Sequence, residues 1–282
     1  YCYARYTHEY MELAPTEFER KIYVKDNAAR RLLADLSPEK IIGQHIAIGT
    51  ATDPYQPAER MFGVTREILE TLLAWSEQFP AGGPAGERGA GLSLSITTKS
   101  DLILRDTELL RRLSARNRFN VNFSITTLNA RLARALEPRA PTPQLRLEAV
   151  EKLNQAGVIA GVFVAPVLPG ITDKPEDLEA VVAAAARAGA RYLSGHVVFL
   201  MPSSQKTFFP FLRHKFPRLL KQYRKWFLRT GYAPEAYRAR IGQLLADLRQ
   251  KYNLPAGPPH EGFYAAAAAP APAPQLALPF AS

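Results

Sequence analysis

Asn120-Val121-Asn122-Phe123-Ser124-Ile125 is a short β-rich run that leads into a helical pattern over 144–156 and then into a second run, Gly161-Val162-Phe163-Val164-Ala165. Strand, helix, strand at that spacing predicts the crossover unit of a parallel sheet, since parallel neighbours need a connection long enough to bring the chain back to the same end. The unit recurs in both directions. His45–Thr50 precedes a helix over 65–77, Leu92–Thr97 one over 106–116 and Gly161–Ala165 one over 176–188, and Tyr192–Leu200 opens a basic helical region. Strand followed by helix, five times without a break in polarity, predicts an α/β fold with helices outside a parallel sheet, and we read it as a barrel in preference to an open doubly wound sheet.

Punctuation supports these boundaries. Thr142-Pro143 ahead of Leu145, Leu147, Val150 and Leu153 gives an N-cap followed by proline at the first helical position, and Ala156-Gly157 ends the helix. The glycine-rich stretch 80–91 reads as a flexible insertion on the side of the barrel away from the chemistry. Residues 1–230 are assigned to the barrel, 231–254 to a helical extension, and 255–282 to a Pro/Ala-rich disordered tail that cannot pack a core.

The chain has 282 residues, 47% of them hydrophobic, enough to bury a barrel-sized core. No apolar run reaches the ~18 residues that cross a bilayer, and one cysteine excludes an internal disulfide framework, so the expected compartment is the cytoplasm with no membrane partner. A formal charge of +10 and a pI near 9.7 favour an anionic partner, nucleic acid first.

In a (β/α) barrel, functional groups gather at the C-terminal ends of the strands. The sequence places distinctive polar runs there: Thr52-Asp53-Pro54-Tyr55-Gln56-Pro57-Ala58-Glu59, Thr97-Thr98-Lys99-Ser100, and Asn122 through Asn129, followed by Glu137-Pro138-Arg139-Ala140-Pro141. Each also has a plain structural reading: an Asp-capped Pro-rich turn, a lysine snorkelling at a barrel rim. Within 208–229, Arg213, Lys215, Arg218, Lys221, Arg224 and Lys225 interleave with Phe209, Phe211, Phe216, Tyr223, Trp226 and Phe227. Such a mixture can neutralise phosphates while aromatic faces stack unpaired bases. It also fits an amphipathic helix that turns Leu219, Leu220, Tyr223 and Phe227 inward.

Tyr1-Cys2-Tyr3-Ala4-Arg5, followed by Thr7-His8-Glu9-Tyr10, resembles the radical S-adenosylmethionine (SAM) proteins related to spore photoproduct lyase, often called DNA repair photolyases. The Thr-Asp loop, Thr-Lys, serine strand and Ala165-Pro166 strand follow in the family's order as far as about Phe227. The resemblance implies a partial (β/α)6 TIM-like barrel of the radical SAM type, a [4Fe-4S] cluster held by a C-x3-C-x2-C loop, and SAM bound to it. Cys2 would be the third cysteine of that loop. The sequence opens on Tyr1 and its first methionine is Met11, so the first strand and part of the cluster loop are expected ahead of Tyr1, and the chain as it stands is expected to be inactive.

By the same resemblance Thr52, Asp53, Lys99, Ser124 and Asn129 are SAM contacts, Tyr1 and Tyr3 flank Cys2 as radical-relay tyrosines do, and the segment 161–166 packs on the adenine. Thr50 stands where spore photoproduct lyases carry a hydrogen-donor cysteine, which argues against that particular reaction. The implied activity is reductive cleavage of SAM, with an electron from an external donor, and hydrogen abstraction from a nucleic-acid substrate gripped by Arg218, Lys221 and Lys225, with DNA repair as the setting. Gln275-Leu276-Ala277-Leu278-Pro279-Phe280 resembles a sliding-clamp-binding peptide; Gln275, Leu276, Leu278 and Phe280 would dock a clamp from the end of the tail. Two rivals stay open: a non-catalytic DNA- or clamp-binding accessory protein on the same barrel, and a conventional barrel lyase using Asp53 and Lys99 as acid and base.

Overall fold

The computed structural model describes residues 1–12, 14, 17–41, 44–79 and 91–259. Its centre is a five-stranded sheet of β1 (His45–Ile48), β2 (Ser93–Thr98), β3 (Arg118–Ser124), β4 (Ile159–Val167) and β5 (Leu193–Val197), in the order β1-β2-β3-β4-β5. Every pairing is parallel. The sheet is not closed: β1 and β5 are its edges, as a partial barrel requires. Helices Val64–Glu77, Thr107–Arg116, Pro143–Gln155 and Pro175–Arg187 connect successive strands, each close to where the hydrophobic pattern puts it. The Thr142 hydroxyl accepts from the Leu145 amide and Pro143 occupies the first turn, so the expected N-terminus forms as the sequence implies.

Register explains which residues form the core. Leu94, Ile96, Phe119, Val121, Phe123, Ala160, Val162 and Val164 are fully buried, and the pairing places them on one side of the sheet. Burying each larger side chain among them contributes on the order of 1.5–3 kcal/mol. The alternate positions form a polar row: Ser93, Ser95, Asn120, Asn122 and Ser124. Tyr192 lies over this second face. Asn120 Nδ2 donates to its phenol oxygen at 2.8 Å, and the phenol donates in turn to Asn122 Oδ1. A β-carbon at Gly161 would fall 2.5 Å from the Tyr192 ring, so the flat group that this glycine accommodates is a tyrosine of the same chain.

Gly49 at the end of β1 is required differently. Its φ of +98° lies in the left-handed region, and a β-carbon there would run into the Thr97 carbonyl and stand 2.9 Å from Pro54 Cδ. Gly49→Ala should therefore lower stability by about 1–3 kcal/mol, read as a reduced urea midpoint with an unchanged slope.

The chain after β5 is an integral part of the packing. Helix Glu235–Lys251 buries Ile241, Leu245 and Leu248, Leu245 meets β5 at Gly195, and the Leu193 amide donates to the Pro255 carbonyl at 2.9 Å. Of the insertion expected over 80–91 the structure describes only Gly91, and of the tail expected over 255–282 only 255–259, where Pro255 is bonded to β5 and so belongs to the packed chain; the rest, with the clamp-like peptide, lies outside the described residues. Among the described residues no helix is long and apolar enough to cross a membrane.

Candidate functional site at the C-terminal ends of the strands

Because the strands are parallel, the residues that follow β1, β2 and β3 share one end of the sheet. The loop after β1 is tied down first. Asp53 Oδ1 accepts from the Thr98 hydroxyl at 2.6 Å and from the Tyr55 amide at 3.0 Å, and Oδ2 accepts from the Lys99 amide at 2.8 Å. Asp53 thus clasps the end of β2 through two donors and its own loop through a third. Further along the loop, buried Glu59 accepts from the Thr65 and Arg66 amides at the start of helix Val64–Glu77 and pairs with Arg105 at 2.5 Å. A remote carboxylate thereby satisfies donors that a helix N-terminus leaves open. These bonds give the long Thr-Asp-Pro-Tyr-Gln-Pro run a structural purpose: it fixes the loop over the sheet end. Thr52 is exposed, its hydroxyl accepting from Gln56 Nε2 at 3.2 Å.

The most constrained group in the site is Glu137. Arg146 donates to it at 2.6 Å, the Lys99 ammonium stands 3.9 Å away, and the Tyr1 phenol donates to its other oxygen. Burial pushes the Glu137 carboxyl up, but the charges of Lys99 and Arg146 and the hydrogen bonds from Tyr1 and Arg146 more than offset this and hold it below the ordinary value of 4.5. The Tyr1 phenol moves the other way, raised well above 10 by burial and by the adjacent carboxylate. Arg146 is itself buried to 1% exposure. It also donates to the Ser124 carbonyl at 2.8 Å and, through Nε, to the Pro141 carbonyl at 3.0 Å. One guanidinium therefore joins the end of β3, the loop that follows it and the carboxylate beneath Lys99.

Cys2 is held on both sides. Tyr1 rests on Glu137, the Cys2 carbonyl accepts from the buried Ser204 hydroxyl at 2.8 Å, and the exposed Tyr3 phenol donates to the Thr50 carbonyl. The two tyrosines thus reach different partners, Tyr1 the Glu137 carboxylate and Tyr3 the Thr50 carbonyl. Lys99, Ser124, Asp53, Tyr1, Tyr3 and Cys2 are gathered at this end. Asn129 is used elsewhere: it is exposed and caps helix Ala130–Leu136, its Oδ1 accepting from the Leu132 amide at 3.0 Å. Asp53 and Lys99 form no acid–base couple, since the carboxylate meets the lysine's backbone amide while the ammonium turns to Glu137.

The basic segment after β5 folds as helices Pro202–Lys215 and Leu220–Phe227, joined by a short turn. Tyr223 donates to the Pro169 carbonyl at 2.9 Å, and Phe208 meets Tyr1 edge-on at 6.3 Å, so the helical pair also lies at this end. Phe208, Tyr223 and Phe227 are buried, and Phe209, Phe211, Phe216 and Trp226 pack against the core. Arg213, Lys215, Arg218, Lys221, Arg224 and Lys225 are exposed. The aromatics of this segment pack inward, and its cations are presented outward.

Two groups in the site have roles that the sequence does not announce. Glu59 closes the Thr-Asp-Pro-Tyr-Gln-Pro run without any mark of its own. Arg146 is masked by Leu145, which looks like the inward position, yet Leu145 is 40% exposed and Arg146 buried. The available signal is the spacing of Arg146 with Val150 and Leu153 at helical periodicity, which puts the arginine on the buried stripe. The polar row is likewise legible as strict alternation in 93–97 and 120–124.

The open parallel sheet thus carries Cys2, Lys99 and Ser124 at one end of its strands. The sequence profile of the Radical SAM superfamily matches residues 1–185, and the chain belongs to that superfamily. An uncharacterized protein of Mycobacterium tuberculosis is 34% identical over 255 residues, spanning 90% of this chain and 71% of the relative, and one of Methanocaldococcus jannaschii is 28% identical over 237 residues, spanning 84% and 72%. Among solved structures, spore photoproduct lyase with bound AdoMet and dinucleoside spore photoproduct superposes with a TM-score of 0.55 at 16% identity, over 89% of this chain and 69% of that one. Its complex with the dinucleoside alone gives 0.53 at 17%. Other lyase structures are spanned to 65% of their length. The fold is shared with these lyases.

Thiolates are the usual ligands of iron–sulfur clusters, and Cys2 is the chain's one cysteine. Among the described residues no group of three His, Cys, Asp or Glu side chains converges to hold a metal. The described residues offer one thiolate, that of Cys2, and no complete ligand set for a cluster.

Proposed function

We propose that this chain forms the barrel of a radical SAM enzyme acting on nucleic acid, with Lys99 and Ser124 binding SAM and Cys2 supplying one of the cluster's thiolates. The observation that carries the reading is the Lys99–Glu137–Tyr1 convergence: the carboxylate facing the proposed SAM lysine also seats the residue next to Cys2. A cluster bound there would supply the electron that cleaves SAM, and it needs thiolates beyond Cys2. What this chain's own groups do is orient and shield. Lys99 offers a cation, one-third exposed, to the SAM carboxylate. Asp53 and Arg146 hold the ends of β2 and β3 in place, which makes Asp53 a positioning residue. Tyr3 donates its phenol hydrogen to the backbone carbonyl of Thr50, the position where the family carries a thiol.

In a chain carrying the complete cysteine motif, Lys99→Ala or Ser124→Ala should weaken SAM binding by about 1–3 kcal/mol, the scale of a charge-assisted hydrogen bond. Calorimetry finding unchanged affinity in both variants would reject the assignment.

The nucleic-acid part of the reading rests on the exposed cations of the helical pair. Neutralising Arg218, Lys221 and Lys225 together should weaken binding to DNA and flatten its log–log salt dependence by roughly 0.7–0.9 for each phosphate no longer neutralised. A slope that stays the same would mean these side chains are simply a solvated face.

A further inference from the structure

We propose that an aromatic shelf at the C-terminal end of β5, with the concavity beside it, binds an unpaired nucleobase and its phosphate. This extends the nucleic-acid part of the reading above and is independent of the radical part. The concavity is about 670 Å³, within the range of small-ligand sites, and is lined by Lys225, Trp226, Thr230, Tyr232, Glu235 and Arg238 among others.

The shelf is a row of rings that enters this concavity from the cysteine loop. Tyr3 lies 5.2 Å from Phe199 at 35°, and Phe199 lies 5.9 Å from Tyr232 at 29°, with His196 stacked beside Phe199 at 6.3 Å and 26°. At the two ends of this row Tyr3 is 38% and Tyr232 44% exposed. Exposed aromatic rings are groups on which unpaired bases stack, and at Tyr232 the ring also has the Arg238 guanidinium over it.

The shelf is also held before any ligand arrives. Phe199 and Tyr232 face each other in an antiparallel bridge, the Leu200 amide donates to the Gly231 carbonyl at 2.8 Å, and the Tyr232 amide donates to the Thr230 hydroxyl at 3.2 Å. A site fixed by its own backbone loses little entropy on binding. Arg238 is anchored by its Nε to the Ala233 carbonyl at 3.1 Å and sets its guanidinium 5.9 Å above the Tyr232 ring.

The charges select the ligand. Arg238 and Lys225 are exposed cations that line the concavity together with Tyr232, and a base with its phosphate requires both kinds of group. Glu235 offers an acceptor to the amine edge of a base and repels a second phosphate. An apolar partner would have to desolvate two cations and a carboxylate here, at a cost that the ring faces do not offset.

The test is fluorescence anisotropy of a labelled single-stranded oligonucleotide, against a strand of the same length with abasic sites, using this chain and its variants. Wild type should bind the base-bearing strand more tightly. Tyr232→Ala should lose roughly tenfold on that strand and under about twofold on the abasic one, while Tyr232→Phe keeps the wild-type value, because stacking needs the ring and not the hydroxyl. Arg238→Gln should weaken both strands. Equal affinity of wild type for the two strands, or no loss in Tyr232→Ala, overturns the proposal. If Tyr232→Ala is silent while the Arg218, Lys221 and Lys225 triple variant loses binding, the shelf is wrong and the broader nucleic-acid reading stands. If wild type binds neither strand, both fall and the SAM assignment is untouched.

Discussion

Arg146→Met should cost about 3–5 kcal/mol of folding stability, the range for removing one partner of a buried ion pair. Arg146 is fully buried, and its three acceptors are the Ser124 and Pro141 carbonyls and the Glu137 carboxylate. Methionine fills comparable space but satisfies none of them. Glu137 would keep Lys99 at 3.9 Å and the Tyr1 phenol, which places the loss at the lower end of the range. Against a typical total of 5–15 kcal/mol, that is a large share. Adding Glu137→Leu to Arg146→Met should recover part of it, because the orphaned charge is then gone. Chemical denaturation measures both, and a single-variant loss under about 1 kcal/mol would contradict the role given to this network.

The same carboxylate gives a pH signature. Its folded value lies below the ordinary 4.5, so its contribution is fully present above that pH and is lost as pH falls through the lower, folded value. Wild type should therefore lose stability in acid more steeply than Glu137→Gln, with the curves parallel near neutrality.

Much of the fold is legible because two periodicities coexist in the sequence. The strand around Phe119, Val121 and Phe123 buries one face against helices, and the helix from Pro143 announces its start with a threonine cap. The order of the polar strand ends is legible for the same reason, since a parallel sheet delivers every one of them to the same side. Less legible is how those ends are used. Whether Asn129 meets a ligand or caps a helix turns on the backbone amide three residues on, at Leu132, and both roles suit an asparagine. Arg146 is hidden because its neighbour Leu145 satisfies the same pattern one residue away, and charge alone suggests exposure. The aromatic shelf joins Tyr3, Phe199 and Tyr232, residues so far apart in sequence that only the β5 crossover and the bridge at Tyr232 bring them together.

Cys2→Ala should abolish cluster binding in a chain given the complete cysteine motif, the largest functional effect expected here. A cluster retained by two thiolates would lose both occupancy and the geometry that leaves a site open for SAM, whereas Ser204 and Tyr1 would still hold the backbone of the loop. The variant should therefore fold normally, with an unchanged circular dichroism spectrum, and differ in iron content. This chain alone, with its single cysteine, should hold no stoichiometric iron.

The most direct measurement is anaerobic reconstitution of that complete-motif protein with iron and sulfide, followed by reduction in the presence of SAM and quantification of 5′-deoxyadenosine. The wild-type protein should yield 5′-deoxyadenosine and Cys2→Ala none. Formation of 5′-deoxyadenosine at the wild-type rate by the Cys2→Ala variant would contradict the assignment of Cys2 to the cluster.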